Sequence, residues 1–297
     1  MDGDTVPPTS ENASAYQKLR QILKIWHVCM TNVRLRDRSI KVLQYGSQFL
    51  MGYYGARLGS MACSIAALRD QSSTARKAFW LLKSINCIHS TVEMVEDGYI
   101  GNDSTLIQNI DFLESLFLIW YYWTESQVYF ARAQNMFGLH EDVIDTNVNI
   151  SWFGGDVCYF VSCLLKLREH ITQKAELLKK IKLAVATEAQ SITNTVNNSP
   201  KKKNAKDVID TSLISINNEN EKQIKAMRKE YKDMSEETVR YQMAFLISVL
   251  ELIVSADYID FFKFITGGYA LGDATVGAVG VTSSALILYE GIVDAIK

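Results

Sequence analysis

Apolar side chains return every three or four positions along most of the chain, the spacing of one face of a helix. Tyr16, Leu19, Leu23, Trp26, Met30 and Val33 mark a first helix. Asp37 caps a second, striped by Ile40, Leu43, Ser47, Leu50, Tyr54 and Leu58. A third begins near Ser73 and stops at "DGYIGND", where glycine and Asx chemistry favour turns. A fourth occupies "STLIQNIDFLESLFLIWYYWTESQVYFARAQNMFG". "SWFGGD" opens a fifth, which runs to about Gln190 through Leu164, Leu167, Ile171, Ala175, Leu178 and Val185. The stretch "SITNTVNNSPKKKNAKDVIDTSLISINNENEK" then loses the period. It is too polar to offset the entropy of ordering and reads as a flexible linker, with Lys201, Lys202 and Lys203 in a solvated tract. "EKQIKAMRKEYKDMSEETVRYQMAFLISVLELIVSADYIDFFKF" is helical again, and Gly267 and Gly268 lead into a last helical segment. Proline stands only at Pro7, Pro8 and Pro200, and its absence elsewhere favours long helices.

The pattern predicts an all-α protein, a bundle of long amphipathic helices with a flexible linker and a C-terminal membrane-associated helix. A polar, acidic leader without an apolar core covers 1–15 and is read as disordered rather than as a signal. A helical domain covers 16–190, the linker 191–220, and C-terminal helices 221–297. A bilayer-spanning helix needs about 20 mostly apolar residues. The longest charge-free run, Ala274 to Tyr289, extends roughly 24 Å at 1.5 Å per residue. It gives one marginal span, within a membrane segment over 264–292. "MAFLISVLELIVSA" is set aside as a span because it carries Glu251.

Residues 73–97 form the most amphipathic stretch. At 100° per residue, Ala78, Leu81, Leu82, Ile85, Ile88, Val92 and Val95 share one face, with Arg76, Lys83 and Ser90 opposite and Phe79 and Trp80 on the flanks. Such a helix either lies in a membrane interface or packs in a bundle. In the first case Arg76, Lys77, Phe79, Trp80, Leu81, Leu82, Lys83, Ile85 and Ile88 bind membrane. Cations near an anionic surface contribute only about 1 kcal/mol each, so the apolar face must supply most of the binding.

Small residues recur at helical spacing in two places. Gly52, Gly55, Ala56 and Gly59 narrow the second helix, and Gly268, Gly272, Gly280 and Ser284 narrow the last. These faces allow close helix packing within one chain, or oligomerisation between copies.

Composition limits the chemistry. The net charge of −2 creates no field that would draw nucleic acid, and 48% hydrophobic with 22% charged residues suits a helical protein with limited membrane contact. Cys29, Cys63, Cys87, Cys158 and Cys163 are scattered and odd in number, which argues for a reducing compartment. The chain lacks phosphate-loop, zinc-protease, nucleophile-elbow and dinucleotide fingerprints. His27, His89, His140 and His170 are isolated, and the acids beside His140 read as a solvated turn. No enzyme, metal site or cofactor is expected.

The order of several motifs resembles the peroxisomal biogenesis factor 11 (peroxin-11) family. "RDRSIKVLQYGSQFL" carries the pattern R-D-x-x-x-K-x-x-Q-Y through Arg36, Asp37, Lys41, Gln44 and Tyr45. The Arg76–Lys77 helix follows, then "GAVGVTSSALILYE" near the end. The resemblance covers residues 16–297, loosely in the middle. It implies a peroxisomal or glycosomal membrane protein, mostly facing the cytosol. Such a protein inserts an amphipathic helix, here Arg76 to about Met94, and forms homo-oligomers that elongate the membrane for proliferation and fission. It also implies cooperation with the organelle fission machinery, a dynamin-like GTPase and its adaptors. Phe79 and Trp80 depart from the family, many of whose members carry further basic residues there. A membrane pore for metabolites and a soluble helical adaptor are the alternative roles.

Overall fold

In a computed structural model the protein is described over residues 10–81, 83–101, 104–134, 141–197 and 206–296. The described residues form helices and connecting turns, with no strand. The helices are α1 (Ser10–Thr31), α2 (Val33–Tyr54), α3 (Met61–Phe79), α4 (Lys83–Glu96), α5 (Leu106–Gln134), α6 (Glu141–Asn197), α7 (Lys206–Tyr258), α8 (Phe261–Thr266) and α9 (Asp273–Ile296). The chain divides into two compact units, one formed by residues 1–161 with 246–297 and the other by 162–245.

Several boundaries differ from the sequence pattern, each for a local reason. The expected second helix, carrying Tyr54 and Leu58 on one stripe, ends at Tyr54 instead. A 3-10 turn and a left-handed Gly59 reverse the chain into α3. The expected amphipathic helix over 73–97 is broken at Trp80 and Leu81 into α3 and α4. Part of the expected linker over 191–220 is helical, since α6 runs to Asn197 and α7 starts at Lys206. Ile209, Leu213, Ile216 and Ile224 give that stretch a three- and four-residue spacing. Lys201, Lys202, Lys203 and His140 lie outside the described residues, as does most of the leader, although α1 already begins at Ser10.

The larger unit is built on a seam between α2 and α9, which run antiparallel. A Cβ at Gly52 would overlap the Asp273–Ala274 backbone, and one at Gly277 the backbone of Phe49. At Gly280 it would strike the Tyr45 ring, and at Gly291 the Leu35 side chain. Glycine is required at Gly52 and Gly277, where the facing backbone leaves no room for a methyl group, whereas at Gly291 the end of the Leu35 side chain can shift. Beside the seam, Tyr45, Val254 and Val276 form an apolar core cluster, with Trp152 and Leu271 packed on it. On another side, α6 passes Gly154 against the Phe117 ring of α5, which lets the helix continue through "SWFGGD" rather than start there.

The interior is unusually polar. Seven of the eleven most deeply buried side chains are serines: Ser84, Ser151, Ser162, Ser248, Ser255, Ser283 and Ser284. Leu43, Leu50, Ile85, Ile88, Val92, Val95, Leu113 and Leu116 are exposed instead. Leu43, Leu50 and Tyr54 of the expected stripe of α2 are thus turned outward, while its Ser47 is buried together with Asp37, Lys41, Gln44, Tyr45 and Gln48. A sequence folded for water hides its leucines; lipid removes that drive, and polar groups must then find one another inside.

Among the described residues, three helical stretches are long and apolar enough to cross a membrane: Val143–Thr187, Lys222–Tyr258 and Asp273–Ala295. The expectation of a single marginal span is corrected here. It required a charge-free run, whereas α7 accommodates Glu251 by giving it partners.

In the smaller unit, α6 and α7 lie side by side. The His170 ring packs on Tyr241 with centroids 4.8 Å apart, and its Nε2 meets the Met234 carbonyl oxygen at 2.9 Å. Lys174 Nζ donates to Thr238 Oγ1 at 3.3 Å.

The seam separates two glycines three residues apart. A Cβ at Gly55 would meet nothing within 4 Å. Gly52→Ala is expected to cost about 1–3 kcal/mol through overpacking. Gly55→Ala is expected to be neutral or to stabilise by about 0.4–1 kcal/mol. Melting temperatures of the two purified variants in detergent check this.

Candidate functional site

The motif residues of α2 point into the larger unit and organise its charges. Asp37 and Gln44, two turns apart on one face, both receive Arg76 of α3. Its Nε donates to Asp37 Oδ1 at 3.0 Å and its Nη1 to Gln44 Oε1 at 2.7 Å. Despite desolvation, Asp37 holds the Arg76 guanidinium above its ordinary range. Lys41 donates to Glu251 Oε2, Arg38 Nη1 donates to Oε1 at 3.2 Å, and Ser283 of α9 donates to Oε1 as well. Burial pulls the Lys41 ammonium down to about 8 against the opposing pull of Glu251. Tyr45 is buried beneath Gly280, and Arg36 lies over the Phe79 ring at 4.4 Å.

The residues expected to bind membrane separate into two groups. Arg76, Lys77, Phe79, Trp80 and Lys83 have partners inside the protein. Lys77 Nζ reaches Glu125 Oε1 at 3.4 Å. Lys83 Nζ donates to the Tyr122 hydroxyl at 2.8 Å and sits 3.6 Å over the Trp80 ring. Burial lowers the Lys83 pKa. The cations therefore face inward because acids and rings await them there, not toward a lipid surface as expected. Leu81 is half-buried, and Leu82 lies outside the described residues.

The second group is the outer face of α4. Ile85 is 58% exposed, and Ile88, Val92 and Val95 follow at 46%, 50% and 49%. Two hydroxyls of α4 face the protein: Ser84 is sealed, and Thr91 Oγ1 donates to the Cys87 carbonyl at 2.8 Å while lying 3.1 Å from Ser115 Oγ of α5. The outer surface of α4 pairs the aliphatic strip with exposed polar residues, His89, Ser90, Glu93 and Glu96, the division of a helix that lies in an interface.

The small residues separate as well. Gly52 and Gly280 lie in the α2–α9 seam, Gly52 at its exposed end, and Ser284 is sealed inside, while a Cβ at Gly55, Gly59, Gly268 or Gly272 would meet nothing within 4 Å.

Arg38, Glu251, Ser283 and Glu125 were not among the site residues expected from the sequence, and Asp156 entered only as a polar interruption that could line a pore. An acid inside an apolar run is the signal that marks such a partner, and Glu251 carried it.

A model of the family peroxisomal biogenesis factor 11 (PEX11) matches residues 24–291. The chain belongs to this family. No curated protein and no solved structure gives a significant match. Membership carries a role in peroxisome biogenesis and proliferation, within a family of biogenesis factors rather than of enzymes. The three long apolar helices fit the membrane association that a peroxisomal location requires.

Glu251 tests the charge cluster. Glu251→Leu leaves Lys41 and Arg38 buried without their acid and is expected to cost about 3–5 kcal/mol. The double variant Lys41→Met, Glu251→Leu should recover much of that loss, read as the melting temperature of the detergent-solubilised protein.

Proposed function

We propose that the protein elongates the peroxisomal membrane by wedging. The observation that carries this reading is the outer face of α4, with Ile85, Ile88, Val92 and Val95 exposed in series. At about half of the roughly 1.5–3 kcal/mol for a fully buried aliphatic side chain, each contributes about 1 kcal/mol on entering lipid. A helix sunk about 5–10 Å into one leaflet expands that leaflet and favours positive curvature. The ion pairs of Arg76 and Lys77 support the wedge from behind by tying α3, and through it α4, to α2 and α5.

Self-association would concentrate the wedges. Gly55, Gly59, Gly268 and Gly272, unused inside the chain, are the small-residue positions open to a second copy. Elongated membrane is then a substrate for the organelle fission machinery, including a dynamin-like GTPase and its adaptors. Most charged surface faces the cytosol in this reading. Residues 162–245 are rich in Lys and Arg, whereas the turn from 259 to 272 has Lys263 as its sole basic residue. The three apolar helices weigh against a soluble adaptor.

Ile85→Asp and Ile88→Asp are expected to abolish tubulation of liposomes by the purified protein, while the tagged variants still reach peroxisomes. Both positions are exposed, so thermal stability should change by less than about 0.5 kcal/mol. Full tubulation by both variants would refute the wedge.

A further inference from the structure

The larger unit holds a half-open cavity of about 870 Å3, bordered by α2, α3, the start of α4, α5, α6, α7 and α9. That lies within the roughly 300–1,000 Å3 of small-molecule sites. Much of its charged lining is already matched, since Asp37 holds Arg76 and Glu251 holds Lys41 and Arg38. Two lining carboxylates are not fully matched. Glu125 gives Oε1 to Lys77 at 3.4 Å and lies in hydrogen-bonding reach of the Tyr121 hydroxyl, yet its Oε2 is buried with no donor. Asp156 lies in hydrogen-bonding reach of Ser255, yet its Oδ2 is also buried with no donor. An acceptor buried in this way costs about 1–3 kcal/mol, more when charged. Two of them on one cavity call for a cation rich in N–H groups.

The rest of the lining agrees. Tyr121, Trp152 and Tyr258 form a continuous array of rings, with centroids 6.4 and 5.5 Å apart, whose faces attract a cation. Toward the surface the charge is mixed: the exposed Arg34 and the half-buried Lys83, paired with a phenol rather than a carboxylate, share the lining with the half-buried Glu114, Asp145 and Glu290. The cavity thus asks for positive charge in its depth, and Arg34 and Lys83 offer an anion a place nearer its mouth.

We infer that it binds the head group of an ethanolamine phospholipid, with the primary ammonium donating to Asp156 and Glu125 and the phosphodiester resting against Lys83 and Arg34. A choline head group offers no N–H to the two bare oxygens. A serine head group would bring a third carboxylate toward them. The long apolar helices that border the cavity place acyl chains within reach of its rim. Soluble phosphoethanolamine shares the head-group chemistry, so the test must separate the two sources.

Full-length protein in mild detergent is mixed with equal amounts of ethanolamine and choline phospholipid and examined by native mass spectrometry. Retention of the ethanolamine lipid by about tenfold over the choline lipid is expected, with a loss of about tenfold in Asp156→Asn, the equivalent of one good hydrogen bond to a charge. Lys83→Gln should weaken retention as well. Asp156→Asn removes an unsatisfied buried charge, so its melting temperature should not fall. Glu125→Gln strands Lys77, and Asp156→Asn alone therefore decides the matter if Glu125→Gln fails to fold. Equal retention of both lipids, or retention unchanged in Asp156→Asn, would overturn the inference. So would a thermal shift with phosphoethanolamine in delipidated protein that added ethanolamine lipid cannot match, because the occupant would then be the soluble compound.

Discussion

Glu251 is the point on which the larger unit turns. It accepts from Arg38 and Lys41 on one helix and from Ser283 on another, so a single carboxylate joins α2, α7 and α9. A buried charge without partners costs several kcal/mol, and its partners cost as much without it. The three helices are therefore held in one register: sliding α7 by a turn would strand three cationic or polar groups at once. Close approach of α2 and α9 through Gly277 and Gly280 makes that reach possible, because a wider spacing would carry Ser283 away from the acid. Packing and charge pairing depend on each other here.

The same constraint explains why the outside is greasy. With the interior occupied largely by acids, bases and serines, many aliphatic side chains have no interior to fill. Leu43 and Leu50 on α2, and Ile85 and Val92 on α4, are left on the surface. For a protein of the PEX11 family, with three helices long and apolar enough to cross a membrane among its described residues, this outward apolarity is available for lipid contact. The charged interior and the proposed curvature activity are two faces of one inside-out design.

Helix type was legible because proline scarcity and the three- to four-residue spacing do not depend on the solvent. The direction of each face was not. Reading Ile40, Leu43 and Leu50 as the packed stripe of α2 assumes water outside, and the assumption inverted the helix. Arg76 and Lys77 were misplaced for the same reason, since cations were expected on the surface and their acids, Asp37 and Glu125, are 39 and 48 residues away in sequence. The face of α4 was legible in its composition, because an aliphatic strip reads alike whether it faces core or lipid; only the structure shows which. Gly277 and Gly291 escaped notice because their partners, Phe49 and Leu35, lie at the other end of the chain.

That separation has a consequence for biosynthesis. Lys41 and Glu251 are 210 residues apart, so at the ~5–20 residues per second of translation the lysine waits about 10–40 s for its acid. Throughout that interval Arg38, Lys41 and the open side of α2 have no place in a bilayer. Until α7 and α9 have followed, the interior that α2 begins has neither its acid nor its seam, so the larger unit closes late in synthesis.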